Sequence, residues 1–248
     1  MPTNELVTPL PVPALDASRR WLLAQSALLG LGALLLYWSF ERTDLDRRLA
    51  SALFDAELGL FPLRHSWFLE AVMHKAAKQA TYVLVAASLY VCWQGWRGRL
   101  AWLPARNALL AAIGMLAIPL ATSTAKLLTA RYCPWDIIDF GGYAPYLGLF
   151  EAAPSGLKAG QCFPAGHAST GFLWIVWAVA LRPAGPRAAR GALVAGLLAG
   201  GILGTARMLQ GAHFLSHTLW TLWLAWAASL ILAVAVRAEL GFGDRRRV

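Results

Sequence analysis

The chain has 248 residues, of which 58% are apolar and only 14% charged, with twelve tryptophans and a mean hydropathy of +0.52. Soluble domains carry about a quarter charged residues, so this composition excludes an ordinary water-soluble globule and points to a membrane protein. The net charge of +9 then has to be placed along the chain before it is read as a sign of a nucleic-acid partner.

Residues 1–18 are polar and Pro-rich and are predicted to form a disordered cytoplasmic tail. Uncharged runs follow at 21–40, 79–96, 107–125, 163–181, 191–206 and 214–236, each near the roughly 17 to 25 residues that cross hydrocarbon. The fifth is the shortest and is extended by Met208 and Leu209 while Arg207 reaches for the interface. The first run follows Arg19 and Arg20, as a secretory signal does, but it is longer than a signal core of roughly 7 to 15 residues and no cleavage pattern follows. The reading is an all-α polytopic membrane protein, a six-transmembrane-helix bundle over residues 19–240, followed by a basic cytoplasmic tail over 241–248.

Between the first two runs, Leu45, Leu49, Leu53 and Leu60 share one helical stripe. Thr43 and Asp46 are spaced as a capping box and Gly59 lies near a stop, which predicts an amphipathic helix at the membrane boundary. Glu70, His74 and Lys78 fall on one face before the second run and read as a solvated stripe. In the fifth run Gly196, Gly200 and Gly204 recur every four residues, which lets a neighbouring helix approach closely. The loop from Trp135 to Lys158 carries Gly141, Gly142 and several aromatic residues, and its length is that of a lid or of a membrane-surface cap.

Six spans put both termini on one side. With the termini cytoplasmic, twelve of the 22 Lys and Arg residues fall in very short inner segments, which is the density that the positive-inside rule requires. The net charge is then an orientation signal, and no nucleic-acid partner is implied.

With this topology three polar sets share the outer face: Lys126 at the end of the third run, His167 at the start of the fourth, and Arg207, His213 and His217 between the fifth and sixth. Singly these are snorkelling anchors and helix caps. Together, two cations and the Gly166 turn into a helix make a phosphate cradle, and two imidazoles beside it provide a nucleophile and an acid that need no metal or cofactor. Alternatively, His213 and His217, at i and i+4, with His167 make a three-histidine zinc set, against which Lys126 and Arg207 stand as repelling charges.

These segments, "KLLTARYCP", "PAGH" and "ARMLQGAHFLSH", resemble the three motifs of the type 2 phosphatidic acid phosphatase (PAP2) superfamily. The resemblance implies His213 as the nucleophile, His167 as the general acid, and Lys126 and Arg207 as phosphate ligands. It implies a membrane lipid phosphate as substrate, acting from the periplasmic face of a bacterial inner membrane.

Two positions depart from the pattern. Cys133 replaces the first-motif Arg, with Arg131 as the expected substitute ligand. His217 replaces the Asp that orients the nucleophile, so the imidazole is held without a negative charge; Asp136, Asp139 and Glu151 read as solvated loop residues, with compensation for that charge as the alternative. Cys133 and Cys162, both in the outer loop, are expected to form a disulfide that holds the pocket's shape in place of the missing Arg, contributing roughly 3 to 4 kcal/mol. Nothing in the sequence names the lipid, and transfer to another acceptor or binding without turnover stays open.

Overall fold

The computed structural model describes residues 16–242. The tails expected over 1–18 and 241–248 therefore lie almost wholly outside the described residues. The first tail also ends earlier than predicted: Asp16 accepts a hydrogen bond from the Arg19 N–H at 2.8 Å, capping helix α1, Ala17–Glu41. That carboxylate satisfies an amide that the first helical turn leaves free.

The described residues are all-α. After α1 come α2 (Leu45–Ser51), a π-helical segment (Phe68–Ala76) running into α3 (Ala77–Trp96), α4 (Ala105–Leu127), α5 (Gly166–Phe172), α6 (Val176–Ala180), α7 (Pro186–Leu209) and α8 (Leu215–Ala235). Four of them, α1, α4, α7 and α8, are long and apolar enough to cross a membrane. The other two predicted runs are helical as well. The 79–96 run lies in α3, while the 163–181 run is broken by a 3-10 turn at Leu173–Ile175 that links α5 to α6. Leu34 and Trp38 of α1, Leu116 and Leu120 of α4, and Ile231 and Val234 of α8 are exposed, an outer surface suited to hydrocarbon.

Small residues set the packing of α7. A Cβ at Gly196 would stand 2.8 Å from the Ile175 backbone, one at Gly200 2.1 Å from the Phe172 ring, and one at Gly204 2.4 Å from the Thr218 side chain. The four-residue repeat therefore seats α7 against both α5 and α8, as a small-residue stripe does. The main core includes Leu110, Met115 and Ile118 of α4, Phe172 and Val176 of the broken helix, and Ala225 of α8.

A second, smaller core of Phe61, Tyr132, Ile137, Phe140, Leu147 and Phe214 caps the end of the bundle where α4 ends and α8 begins. Ile137 and Phe140 anchor the 135–158 loop there, so it is a packed cap in this structure. The amphipathic helix expected between the first two runs is corrected. Only Leu45–Ser51 is helical, and its buried residues are Asp46 and Ala50, while Leu49 and Leu60 are exposed. Thr43 still accepts from the Leu45 N–H at 3.2 Å. Asp46 leaves the capping box because its carboxylate is taken by partners much further along the chain.

Candidate active site

The ends of four helices build the site. A loop carrying Cys162 and Phe163 leads to the cis Phe163–Pro164 bond and opens α5 at Gly166. The loop is tied to α8 on both sides of Ala165: its N–H donates to the His217 carbonyl at 3.2 Å, and its carbonyl accepts from the Thr221 hydroxyl at 3.3 Å. Glycine at 166 leaves room for a cation, since a Cβ there would lie 3.1 Å from Lys126 Cε. Lys126 Nζ donates to the Gln161 carbonyl at 2.9 Å.

His167 is buried, and its Nε2 lies 2.8 Å from the Met73 carbonyl oxygen. A carbonyl only accepts, so Nε2 carries a proton and Nδ1 is the nitrogen free to give or take one. The ring meets His74 edge to face at 4.7 Å between centroids.

Arg207 stands at the end of α7. Its Nη1 donates to Gln210 Oε1 at 2.7 Å and lies 3.7 Å from Glu70 Oε2. The chain then turns at Gly211, with φ at +73° and so little room that a Cβ would fall 2.3 Å from the Phe61 ring. Only glycine fits both conditions. That turn delivers His213.

His213 Nδ1 lies 3.3 Å from His217 Nδ1 and 3.4 Å from Cys162 Sγ, so its Nε2 is the nitrogen left for chemistry. Burial holds His213 well below the ordinary imidazole range, and the nearby charges of Lys126, Arg207 and His167 push it the same way. A neutral imidazole keeps a lone pair for attack. The Nδ1 contact requires one ring to donate. If His213 donates, its Nε2 lone pair is free, and His217 carries its proton on Nε2, which has no hydrogen-bond partner among the described residues, while its ring packs edge to face on Phe163 and Phe214.

Behind this pair lies a buried ionic network. Asp46, 1% exposed, accepts the Ser216 N–H at 2.9 Å on Oδ1 and the Ser216 hydroxyl on Oδ2. It thus caps the first turn of α8 from 170 residues away, supplying an acceptor that Phe214, at the helix's own cap position, cannot. Arg131 Nη2 sits 3.5 Å from Asp46 Oδ2 and its Nη1 3.3 Å from Glu41 Oε1, while Nη2 also donates to the Tyr146 hydroxyl at 2.7 Å. Burial raises the Asp46 carboxyl, against the lowering effect of Ser216 and Arg131.

The structure thus brings His167, His213, His217, Lys126, Arg207 and Gly166 to one end of the bundle. Arg131 is not among the groups facing the rim: it is 1% exposed and held by Glu41, Asp46 and Tyr146. The three loop carboxylates do not reach His213: Asp139 is on Arg47 at 3.4 Å, Glu151 is on the Gly148 N–H at 2.8 Å, and the charge near Asp136 is Arg64. Cys133 and Cys162 are disulfide-bonded.

Two residues read as a solvated stripe belong to the site. Glu70 lies beside Arg207, and His74 packs on His167. The only signal was their helical spacing, which put both on one face at the same end of the molecule. Asp46 was concealed by its place in a capping-box pattern. As for metals, one group of three ligand atoms within 4.8 Å of one another occurs among the described residues, from Cys162, His213 and His217.

A family model described as the PAP2 superfamily matches residues 107–240, just over half of the chain and the part that carries all three motifs. No curated protein and no solved structure matches it.

Proposed function

The chain belongs to the PAP2 superfamily, whose members hydrolyse phosphate esters, and from that premise we propose that it is a lipid phosphate or lipid pyrophosphate phosphatase. In this reading six spans cross a bacterial inner membrane, both termini are cytoplasmic, and the site faces the periplasm. The observation that carries it is the meeting of buried His213 with Lys126, Arg207 and His167, three groups from the ends of three other elements that lie close enough for their charges to act on its imidazole.

The substrate phosphate binds Lys126 Nζ and the Arg207 guanidinium. His213 Nε2 attacks phosphorus in line; a P–N bond forms as the bond to the leaving oxygen breaks, and His167, entering the step as the imidazolium with Nε2 still donating to Met73, gives that oxygen the proton on Nδ1. Water then attacks the phosphohistidine while His167 Nδ1 takes its proton, and the P–N electron pair returns to His213 as orthophosphate leaves. Preorganised cations stabilise the charge that develops on the phosphoryl oxygens. A groove of about 410 Å³ lined by Phe68, Met73, Leu198, Ile202 and Leu209 runs between the π-helical segment and α7, and it suits an apolar tail whose headgroup meets Arg207.

Phosphate release from phosphatidic acid, phosphatidylglycerol phosphate, polyprenyl pyrophosphate and lipid A phosphate, with and without chelator, tests the reading. His213→Ala is expected to lower release by about 10⁴-fold or more with helicity unchanged; undiminished release would overturn it. His217 in place of a carboxylate favours a second reading, a phospholipid-binding or transport protein. Such a protein binds the lipids with no release from the unmodified chain, whereas a lipid phosphotransferase forms the same phosphohistidine and needs an acceptor other than water.

A further inference from the structure

The two departures from the family's motifs, Cys133 and His217, converge on one side of His213. Cys133 is bonded to Cys162, whose sulfur lies 3.4 Å from His213 Nδ1; His217 Nδ1 lies 3.3 Å from the same nitrogen. A tetrahedral zinc ion with bonds of about 2.0 to 2.1 Å to nitrogen and about 2.3 Å to sulfur sets N···N edges near 3.4 Å and S···N edges near 3.5 Å. The two spacings to His213 are close to those edges, and all three ligand atoms lie within 4.8 Å of one another. While the disulfide stands, Cys162 has no thiolate to offer a cation.

We propose that reduction of the Cys133–Cys162 bond converts this side of the site into a zinc-class metal site, with Cys162, His213, His217 and Cys133 as ligands, and that the bound ion silences His213. Cys133 is half-buried and Cys162 buried, so a dithiol reductant attacks the Cys133 sulfur and Cys162 leaves as a thiolate beside the two rings. The reductant's second thiol resolves the mixed disulfide, freeing Cys133 and leaving the reductant as its own disulfide, two electrons having passed to the protein. Metal binding then releases the remaining thiol protons. Two thiolates offset the charges of Lys126 and Arg207, which otherwise repel a divalent ion. Both cysteines reach one ion by side-chain rotation, since their Cα atoms are 5.2 Å apart. An ion on His213 Nδ1 leaves the ring proton on Nε2, so no lone pair remains to attack phosphorus.

Metal uptake stands independently of the phosphatase reading; the silencing rests on it. The test uses the full chain in detergent, with the disulfide intact or reduced and the reductant removed, titrated with cobalt(II) as the spectroscopic probe. The reduced protein is expected to bind roughly one cobalt per chain with tetrahedral and thiolate charge-transfer absorption, displaced by zinc. The oxidised protein should bind none, and His217→Ala or Cys162→Ser should weaken binding about 10- to 100-fold or more. Cys133→Ala, which leaves the Cys162 thiol free without reductant, should bind cobalt through three ligands and keeps the test valid if the reduced wild type unfolds.

Equal uptake by the oxidised protein, no uptake by both the reduced chain and Cys133→Ala, or uptake unchanged in His217→Ala would overturn the site. Phosphate release that zinc leaves unchanged in the metal-loaded reduced protein would overturn the silencing. A chain that releases no phosphate in any state would refute the phosphatase reading while the cobalt titration still decides the site.

Discussion

On its Nδ1 side His213 meets a fully buried ring, His217, and the buried sulfur of Cys162, and behind them Asp46 and Arg131 are each 1% exposed. Toward the rim, Lys126, Arg207, Glu70 and His74 are only part-buried, and Arg207 stands 3.7 Å from Glu70. One side is an anchored scaffold whose groups are already paired; the other holds charges with capacity left for a ligand. Changes in the first are expected to read mainly as stability, and changes in the second mainly as activity.

The largest effect on that contrast comes from Asp46→Ala, which removes one of the two carboxylates that hold the Arg131 charge and the acceptor that caps the first turn of α8. Breaking a buried pair from one side costs about 3 to 5 kcal/mol, so denaturant or thermal melting should show the loss in every assay of fold. If the melting curve does not move, the buried side is not an anchor of the fold. Next is Arg207→Ala, which should lower phosphate release by about 10²- to 10³-fold while melting stays close to wild type. A stability loss as large as that of Asp46→Ala would erase the distinction between the two sides.

His217→Asp crosses the divide by giving the buried side a negative charge next to His213. Restoring a carboxylate at Nδ1 should raise kcat by about tenfold, the equivalent of roughly 1.4 kcal/mol. A fall in kcat in a folded variant would show that His217 suits this pocket better than the carboxylate does. The smallest effect is read from pH. Burial and the neighbouring cations lower the His213 pKa, so the ring stays neutral below the ordinary 6.5 and protonates only as pH falls through its lowered value. The acid limb of kcat/KM should therefore lie below pH 6.5; a limb at or above it would contradict a buried neutral nucleophile.

Much of this was legible without coordinates because it follows from local pattern. Apolar runs locate helices whatever they pack against, the Gly196, Gly200 and Gly204 repeat marks a close-packed face on any neighbour, and the motif spacing around Lys126, His167 and Arg207 is short enough to be read in the chain. Arg131 and Asp46 were misjudged for the opposite reason. Each looked like a local device, a substitute ligand two residues from Cys133 and a cap three residues from Thr43, yet both satisfy their charge through partners 85 or more residues away.

By itself the sequence determined the helical, membrane-suited composition of the chain and the identity of the groups able to handle a phosphate. Only the tertiary structure decided that Glu70 and His74 join them, that Arg131 withdraws into an ionic scaffold, and that Cys162 and His217 flank the same nitrogen of His213. Hydrophobic period is a property of neighbours in the chain. The pairing of buried charges and rings depends on which helix ends meet, and that is settled only when the whole bundle packs.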